Sequence, residues 1–165
     1  MPNPVPKPQA VMTIRPFHPA DELAVIELWV HCGLIVPHNN PRMDIERKMW
    51  VTPELFLVGM LGKRIIATVM AGYDGHRGNI SYLAVAPEFQ RRNFGRQIMD
   101  HVEEILRDCG CPKINLCVRT TNQKVIAFYQ RLGFTCDPVV TMGKRLTVDE
   151  PLEIIIHEED TVDQH

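Results

Sequence analysis

The stretch from Asn79 to Phe134, NISYLAVAPEFQRRNFGRQIMDHVEEILRDCGCPKINLCVRTTNQKVIAFYQRLGF, decides the fold. It opens with the apolar run 80–86, which is rich in β-forming residues and stops at Pro87, so it predicts a strand. From Phe94, apolar residues recur at the spacing of an amphipathic helix until Gly110 ends the pattern. The apolar positions of this helix are Phe94, Ile98, Val102, Ile105 and Cys109.

A second strand and a second helix follow in the same stretch. Residues 114–118 alternate apolar and polar side chains, and residues 125–132 carry an apolar face with Gly133 just beyond it. Because a strand, a crossover helix and a strand form a βαβ unit, we expect the two strands to be parallel and the connection to be right-handed.

The turn between the first strand and the first helix has the composition of a phosphate site. A basic loop that enters a helix offers unpaired N–H groups, the positive end of the helix dipole and guanidinium groups. The turn lacks the Gly-Lys-Ser/Thr of a nucleotide-hydrolysing loop and the three spaced glycines of a dinucleotide fingerprint. Its residues are Gln90, Arg91, Arg92, Asn93, Phe94, Gly95 and Arg96.

At this point the chain resembles the GNAT family of N-acetyltransferases, whose pyrophosphate loop reads Gln/Arg-x-x-Gly-x-Gly/Ala. Gln90 to Gly95 fits that loop except that Asn93 replaces the first glycine. Asparagine tolerates positive φ better than other non-glycine residues, so we expect the loop geometry to be kept. Residues 122–134, Asn-x5-Phe-Tyr-x3-Gly-Phe, resemble the last helix of the family. Short pieces such as DIERKM and GKRL are similar to a small bacterial YpeA-type subgroup, and the resemblance covers residues 12–147.

The resemblance implies a mixed α/β fold with a mostly antiparallel central sheet and one parallel βαβ unit flanked by helices. It implies acetyl-CoA as co-substrate, with its pyrophosphate on the Gln90–Arg96 turn. The main chain of Leu83, Ala84 and Val85 would pair with the pantetheine amides. Asn122 would contact the cofactor or cap the last helix, and Tyr129 would protonate the leaving thiolate. The alternatives without a functional role are that Tyr129 is an aromatic residue packed on the face of its helix and that the arginines are solvated surface charges.

The general base is not evident from the sequence. Many family members carry a glutamate near the start of the strand that corresponds to residues 79–86, and this chain has none there. Asp74 and His76 are candidates, although the DGHRG segment is also typical of a simple turn. Ser81 and Tyr82 could order a water molecule instead.

Length and composition limit the other possibilities. A chain of 165 residues with 45% hydrophobic and 23% charged residues is expected to form one domain over residues 12–157, with a flexible tail at 1–11 and an acidic tail at 158–165. A net charge of −2 does not favour nucleic acid, and no apolar run is long enough for a membrane span. Histidines at metal-ligand spacing are lacking, and the five cysteines are expected to be reduced core thiols, which indicates the cytoplasm.

The remaining segments predict further elements around the βαβ unit. The predicted strands are 12–17, 55–60, 64–73, 139–146 and a short one at 152–157, and the predicted helices are 19–32 and 44–50. Trp29 and Trp50 are expected in the core, although the segment between them could also line the acceptor site.

The expected function is transfer of acetyl from acetyl-CoA to a primary amine by direct attack, on an acceptor that the sequence does not identify. Two alternatives remain open at this stage, namely a sensor that binds acyl-CoA without turnover and a protein-interaction domain that has lost CoA. An edge strand in the C-terminal region could pair two copies into a homodimer.

Overall fold

The computed structural model describes residues 10–153 and contains a five-stranded sheet in the order β1-β2-β3-β4-β5. The first four strands pair antiparallel, and β4 pairs with β5 in parallel. The mixed sheet flanked by helices confirms the predicted fold class. The strands are β1 (Thr13–Pro16), β2 (Phe56–Leu61), β3 (Arg64–Tyr73), β4 (Gly78–Val85) and β5 (Ile114–Asn115), and the helices are α1 (Glu22–His31), α2 (Pro41–Val51), α3 (Phe94–Asp108) and α4 (Gln123–Arg131).

The core lies on both faces of the sheet. Residues 66–70 of β3 are all buried, and because successive side chains of a strand point to opposite faces, both faces must be covered. Helices α1 and α3 both contact β3 and β4, so together they provide this cover. Trp29 on α1 and Phe94 at the start of α3 are among the largest fully buried side chains.

Helix α2 begins three residues before the predicted start at Asp44. Asn40 caps it, since its side chain accepts hydrogen bonds from the backbone N–H groups of Arg42 and Met43 at 3.0 and 3.3 Å. Pro41 occupies the first helical position, where its missing N–H is not needed. The pair Asn40-Pro41 is therefore a helix start that the predicted helix 44–50 leaves out.

Two predictions about apolar residues are wrong. Trp50 is 84% exposed at the end of α2, because this helix buries mainly Pro41 and Ile45. The predicted core thiols are free, but only Cys32 and Cys111 are partly buried, and the three others are exposed. The exposed cysteines are Cys109, Cys117 and Cys136.

The C-terminal strands are the largest departure from the sequence prediction. Residues 139–146 form no strand, and Val140, Met142 and Leu146 are 87–90% exposed. Of the segment 152–157, only residues 152 and 153 are described, and they form no strand, while the rest lies outside the described residues. The predicted strand 114–118 is also shorter, since only Ile114 and Asn115 pair with β4.

Candidate active site

The turn before α3 adopts an unusual backbone. Arg91 and Asn93 both have positive φ, 59° and 70°, in a region that non-glycine residues rarely occupy. This confirms that Asn93 replaces the glycine of the loop pattern without loss of the left-handed conformation. Asn93 is the N-cap of α3, and the first backbone bond of the helix runs from the N–H of Gln97 to its carbonyl.

Two arginines of this turn are held by neighbouring groups. The guanidinium of Arg92 lies over the rings of Phe89 and Phe94, at 5.1 and 5.6 Å from their centroids. Arg96 donates a hydrogen bond to the carbonyl of Arg131 at 2.8 Å and so links the start of α3 to the end of α4. The N–H groups of the first turn of α3 have no partner within the helix, and together with these cations they form a surface that favours an anion.

Gly95 allows α3 and α4 to approach each other closely. A Cβ atom at this position would lie 3.0 Å from two ring carbons of Phe128. Any larger side chain would push the start of α3 away from α4. The small residue that ends the loop pattern, Gly95, is therefore needed for the packing of α3 against α4 in this chain.

Strand β4 contains a bulge at its centre. Thr68 of β3 pairs with Ala84, and Met70 pairs with Ser81, so three steps along β4 match two steps along β3. Tyr82 lies in the bulge with φ of 48°. Leu83 and Val85 are partly buried and Ala84 is buried, as expected of residues that pack by their side chains.

Beyond Asn79, β4 and β5 separate. Only Gly78 and Asn79 pair with β5, so the second half of β4 has no strand beside it on that side within the described residues. One main-chain group there is already used, since the carbonyl of Val85 accepts from the Gln90 side chain at 2.9 Å and from Cys32 Sγ at 3.3 Å. The opening leads directly to the Gln90–Arg96 turn, which follows β4 in the chain.

Tyr129 on α4 is only 8% exposed and is surrounded by aromatic rings. Phe128 and Phe134 contact its ring edge-to-face, with centroids 5.1 and 5.4 Å away. Burial raises the pKa of its phenol to about 12, so the hydroxyl is protonated at neutral pH. The residue lines an open cleft together with Leu116, Val118 and Ile126.

Asn122 caps α4. Its side-chain oxygen accepts from the N–H of Val125 at 3.4 Å, which confirms the capping alternative and leaves cofactor contact a prediction. Asp74 is a turn residue, because one of its oxygens accepts from the N–H groups of His76 and Arg77 at 2.8 and 2.7 Å. These backbone bonds lower the pKa of Asp74, which makes it a poor proton acceptor.

Sequence reasoning missed the neighbours of Tyr82. Its ring stacks on Trp29 at 4.0 Å, its carbonyl accepts from the Thr68 hydroxyl at 3.0 Å, and its own hydroxyl donates to Asp44 at 2.6 Å. No local pattern could have joined Asp44 to Tyr82, since 38 residues separate the two.

Comparison with known proteins agrees with this geometry. The family model of the GNAT acetyltransferases matches residues 22–134, which include β4, the turn, α3 and α4. The chain belongs to the GNAT acetyltransferase family. It is therefore an acyltransferase, and the fold class and family inferred from the two motifs are confirmed.

Two bacterial relatives extend the match over most of the chain. An acetyltransferase of Yersinia enterocolitica is 46% identical over 139 residues, which cover 84% of this chain and 99% of the relative. An acetyltransferase of Pectobacterium atrosepticum is also 46% identical, over 84% of this chain and 98% of the relative.

Solved structures show the same fold at low identity. A ribosomal-protein alanine N-acetyltransferase of Escherichia coli superposes with a TM-score of 0.64 at 20% identity, covering 76% of this chain and 78% of its own. The glucosamine-6-phosphate N-acetyltransferase of Arabidopsis thaliana gives 0.61 at 18% identity, covering 84% and 100%. Since the names of these two enzymes point to a protein and to a sugar phosphate as acceptors, this fold does not by itself identify the acceptor.

Proposed function

We propose that the enzyme transfers acetyl from acetyl-CoA directly to a primary amine. The observation that carries the proposal is the separation of β4 and β5 immediately before the basic turn at the start of α3. An extended pantetheine arm can hydrogen-bond to the unpaired side of β4, as an added strand does, while the pyrophosphate lies on the N–H groups of α3. The family match supports acetyl transfer as the reaction class.

The reaction then needs two proton transfers. The neutral amine attacks the thioester carbonyl, the carbon–nitrogen bond forms, the nitrogen releases a proton to water, and the carbon–sulfur bond breaks. Tyr129 donates its proton to the leaving sulfur and regains one from water. A phenol with a pKa of about 12 is a weaker acid than a thiol, whose pKa is about 8.5, so the transfer to sulfur is uphill and is completed because Tyr129 regains a proton from water.

Cofactor binding is tested by thermal unfolding with and without acetyl-CoA. A ligand at about 100 times its Kd adds roughly 2.7 kcal/mol, which for a chain of this size raises Tm by roughly 5–10 °C. The double variant Arg92→Glu, Gly95→Trp should lose the shift, because it reverses a charge of the turn and forces α3 against Phe128. Lys63→Glu, the same charge change at the exposed β2–β3 turn, is the matched control and should keep the shift. A wild type without a shift would contradict the proposal.

Turnover is tested by Tyr129→Phe, with thiol release as the readout. We expect kcat to fall by about 10²-fold or more with an unchanged KM for acetyl-CoA, since the ring packing stays and only the hydroxyl is lost. A protein that binds acetyl-CoA but releases no CoA with any amine would support the alternative of a sensor without turnover. The free thiols of the chain support a reducing compartment such as the cytoplasm.

A further inference from the structure

Tyr82 is held in a conformation that an isolated tyrosine would avoid. A bulky residue with φ of 48° is sterically strained, and such residues persist only when their surroundings hold them. Here three groups hold Tyr82, and each does so at a different point. Trp29 stacks on the ring, Thr68 bonds the carbonyl, and Asp44 accepts from the hydroxyl. The bulge therefore presents one particular side chain, three residues beyond Asn79, the last residue of β4 that pairs with β5.

Asp44 is both anchored and accessible. Its Oδ2 accepts the Tyr82 hydroxyl at 2.6 Å, and 24% of its side chain remains exposed. Its Oδ1 has only a long contact of 3.3 Å to Arg47, because the guanidinium of Arg47 forms two bonds of 2.8 and 2.5 Å with Asp149. A carboxylate has about four acceptor positions, so Asp44 retains capacity for a further donor.

Asp44 lines a cleft between α2 and the segment 143–149. Arg47, Lys144 and Arg145 also line it, and they outnumber the carboxylates of Asp44 and Asp149. A cation would therefore not be drawn in by the average charge of the cleft and must be recognised by direct contact with an oxygen. The described residues contain no group of three histidine, cysteine, aspartate or glutamate side chains that could hold a metal ion, so an organic cation fits better.

We propose that Asp44 binds the ammonium group of the acceptor and that Tyr82 is the positioning residue that holds this carboxylate beside β4. The inference rests on the proposed function and identifies its acceptor as a primary amine that arrives as a cation. One ammonium N–H donates to Asp44 while water removes one proton to give the free amine. The free amine then forms the carbon–nitrogen bond as the carbon–sulfur bond breaks, and the nitrogen releases its second proton to water. Tyr129 supplies the proton for the thiolate and regains one from water.

The test compares Asp44→Asn with Glu46→Gln. Both remove one negative charge from α2, but Glu46 is exposed and does not line the cleft. The probes are an alanine-initiated peptide, a lysine peptide, spermidine and glucosamine, and kinetics are measured with the best of them. We expect Asp44→Asn to raise KM for that amine about 10-fold or more, with KM for acetyl-CoA and Tm close to wild type. Glu46→Gln should leave both KM values unchanged.

A neutral nucleophile separates charge recognition from a general disturbance. Hydroxylamine is uncharged at mildly alkaline pH, so Asp44→Asn should affect its acetylation much less than that of the cationic amine. Tyr82→Phe keeps the stacked ring but frees Asp44, and it should also raise KM for the cationic amine, by a smaller factor than Asp44→Asn.

Two results would overturn the inference. The first is an Asp44→Asn variant with an unchanged KM for the amine, and the second is an equal loss with hydroxylamine. A wild type that does not bind acetyl-CoA, or that binds it but acetylates none of the four amines, would instead refute the proposed function itself, so the two failures are distinguishable.

Discussion

Thr68→Val is the substitution with the clearest expected effect on the bulge of β4. Thr68 is completely buried, and its hydroxyl lies among the mainly apolar side chains of the core. The hydroxyl accepts from Trp29 Nε1 at 2.8 Å and donates to the carbonyl of Tyr82 at 3.0 Å. Valine has nearly the same shape but cannot make either bond.

The magnitude follows from the groups that would lose their partner. A buried donor or acceptor left without a hydrogen bond costs about 1–3 kcal/mol, and two such groups are affected here. Removing a buried hydroxyl returns part of this amount, so we expect a net loss of about 2–4 kcal/mol in the free energy of unfolding. Since domains are stable by only about 5–15 kcal/mol, this is a large fraction.

Urea unfolding followed by tryptophan fluorescence measures this loss. Trp29 is fully buried and Trp50 is 84% exposed, so most of the change on unfolding will report the surroundings of Trp29. Thr13→Val at an exposed position of β1 is the matched control and should stay within about 0.5 kcal/mol of wild type. Thr68→Ser keeps the hydroxyl and loses only a methyl group, so it should cost about 1 kcal/mol. A Thr68→Val variant as stable as Thr68→Ser would refute the hydrogen-bond argument.

Further expectations concern pH and the phosphate turn. Burial raises the pKa of Tyr129 from 10 to about 12, so the unfolded chain loses this proton at a lower pH than the folded chain. Between pH 10 and 12, the free energy of unfolding of the wild type should therefore fall by about 1.4 kcal/mol per pH unit more than that of Tyr129→Phe. Urea titrations at pH 9 and 11 measure this difference. The hydrogen bond from Arg15 lowers the pKa of Asp21, so the Asp21 carboxylate stabilises the fold above its ordinary pKa and this contribution is lost as the pH falls. Asp21→Asn should therefore lower the free energy of unfolding by on the order of 1 kcal/mol at pH 7 and by much less at pH 2. Asn93 has φ of 70°, so Asn93→Gly should keep both the fold and acetyl-CoA binding, whereas Asn93→Val should lower the free energy of unfolding by about 1–2 kcal/mol. Equal melting temperatures of the two variants would contradict this expectation.

The part of the fold that could be predicted is the part whose signals are local. The strand before Pro87, the helix from Phe94 and the final helix before Gly133 were predicted because caps, breakers and periodicity lie within each segment. The left-handed conformation of Asn93 was also predictable, since it follows from the residue type and its place in a known loop pattern.

The C-terminal strand shows the limit of such reasoning. Residues 139–146 have a strand-like composition, yet the sequence of a strand does not identify its partner, and without a partner an apolar run stays unpaired. The exposure of Val140, Met142 and Leu146 is the result. The prediction of Trp50 in the core failed for a similar reason, since the residue type does not identify the face of α2 on which it lies.

Strand β4 has two proposed roles, one toward the cofactor and one toward the acceptor amine, that the sequence could not reveal together. Glycine usually marks a left-handed bulge position, and here the position is Tyr82, so nothing in the residue type predicts the conformation. Once the bulge forms, the main chain of residues 83–85 can serve the cofactor while the side chain of Tyr82 reaches Asp44 on α2. The two roles need the same extra residue in β4, because a regular ladder would keep β4 in register with β3 and turn Tyr82 to the other face. A variant of β4 with one residue deleted at the bulge should therefore lose acetyl-CoA binding and amine transfer together, whereas Asp44→Asn should affect the amine alone.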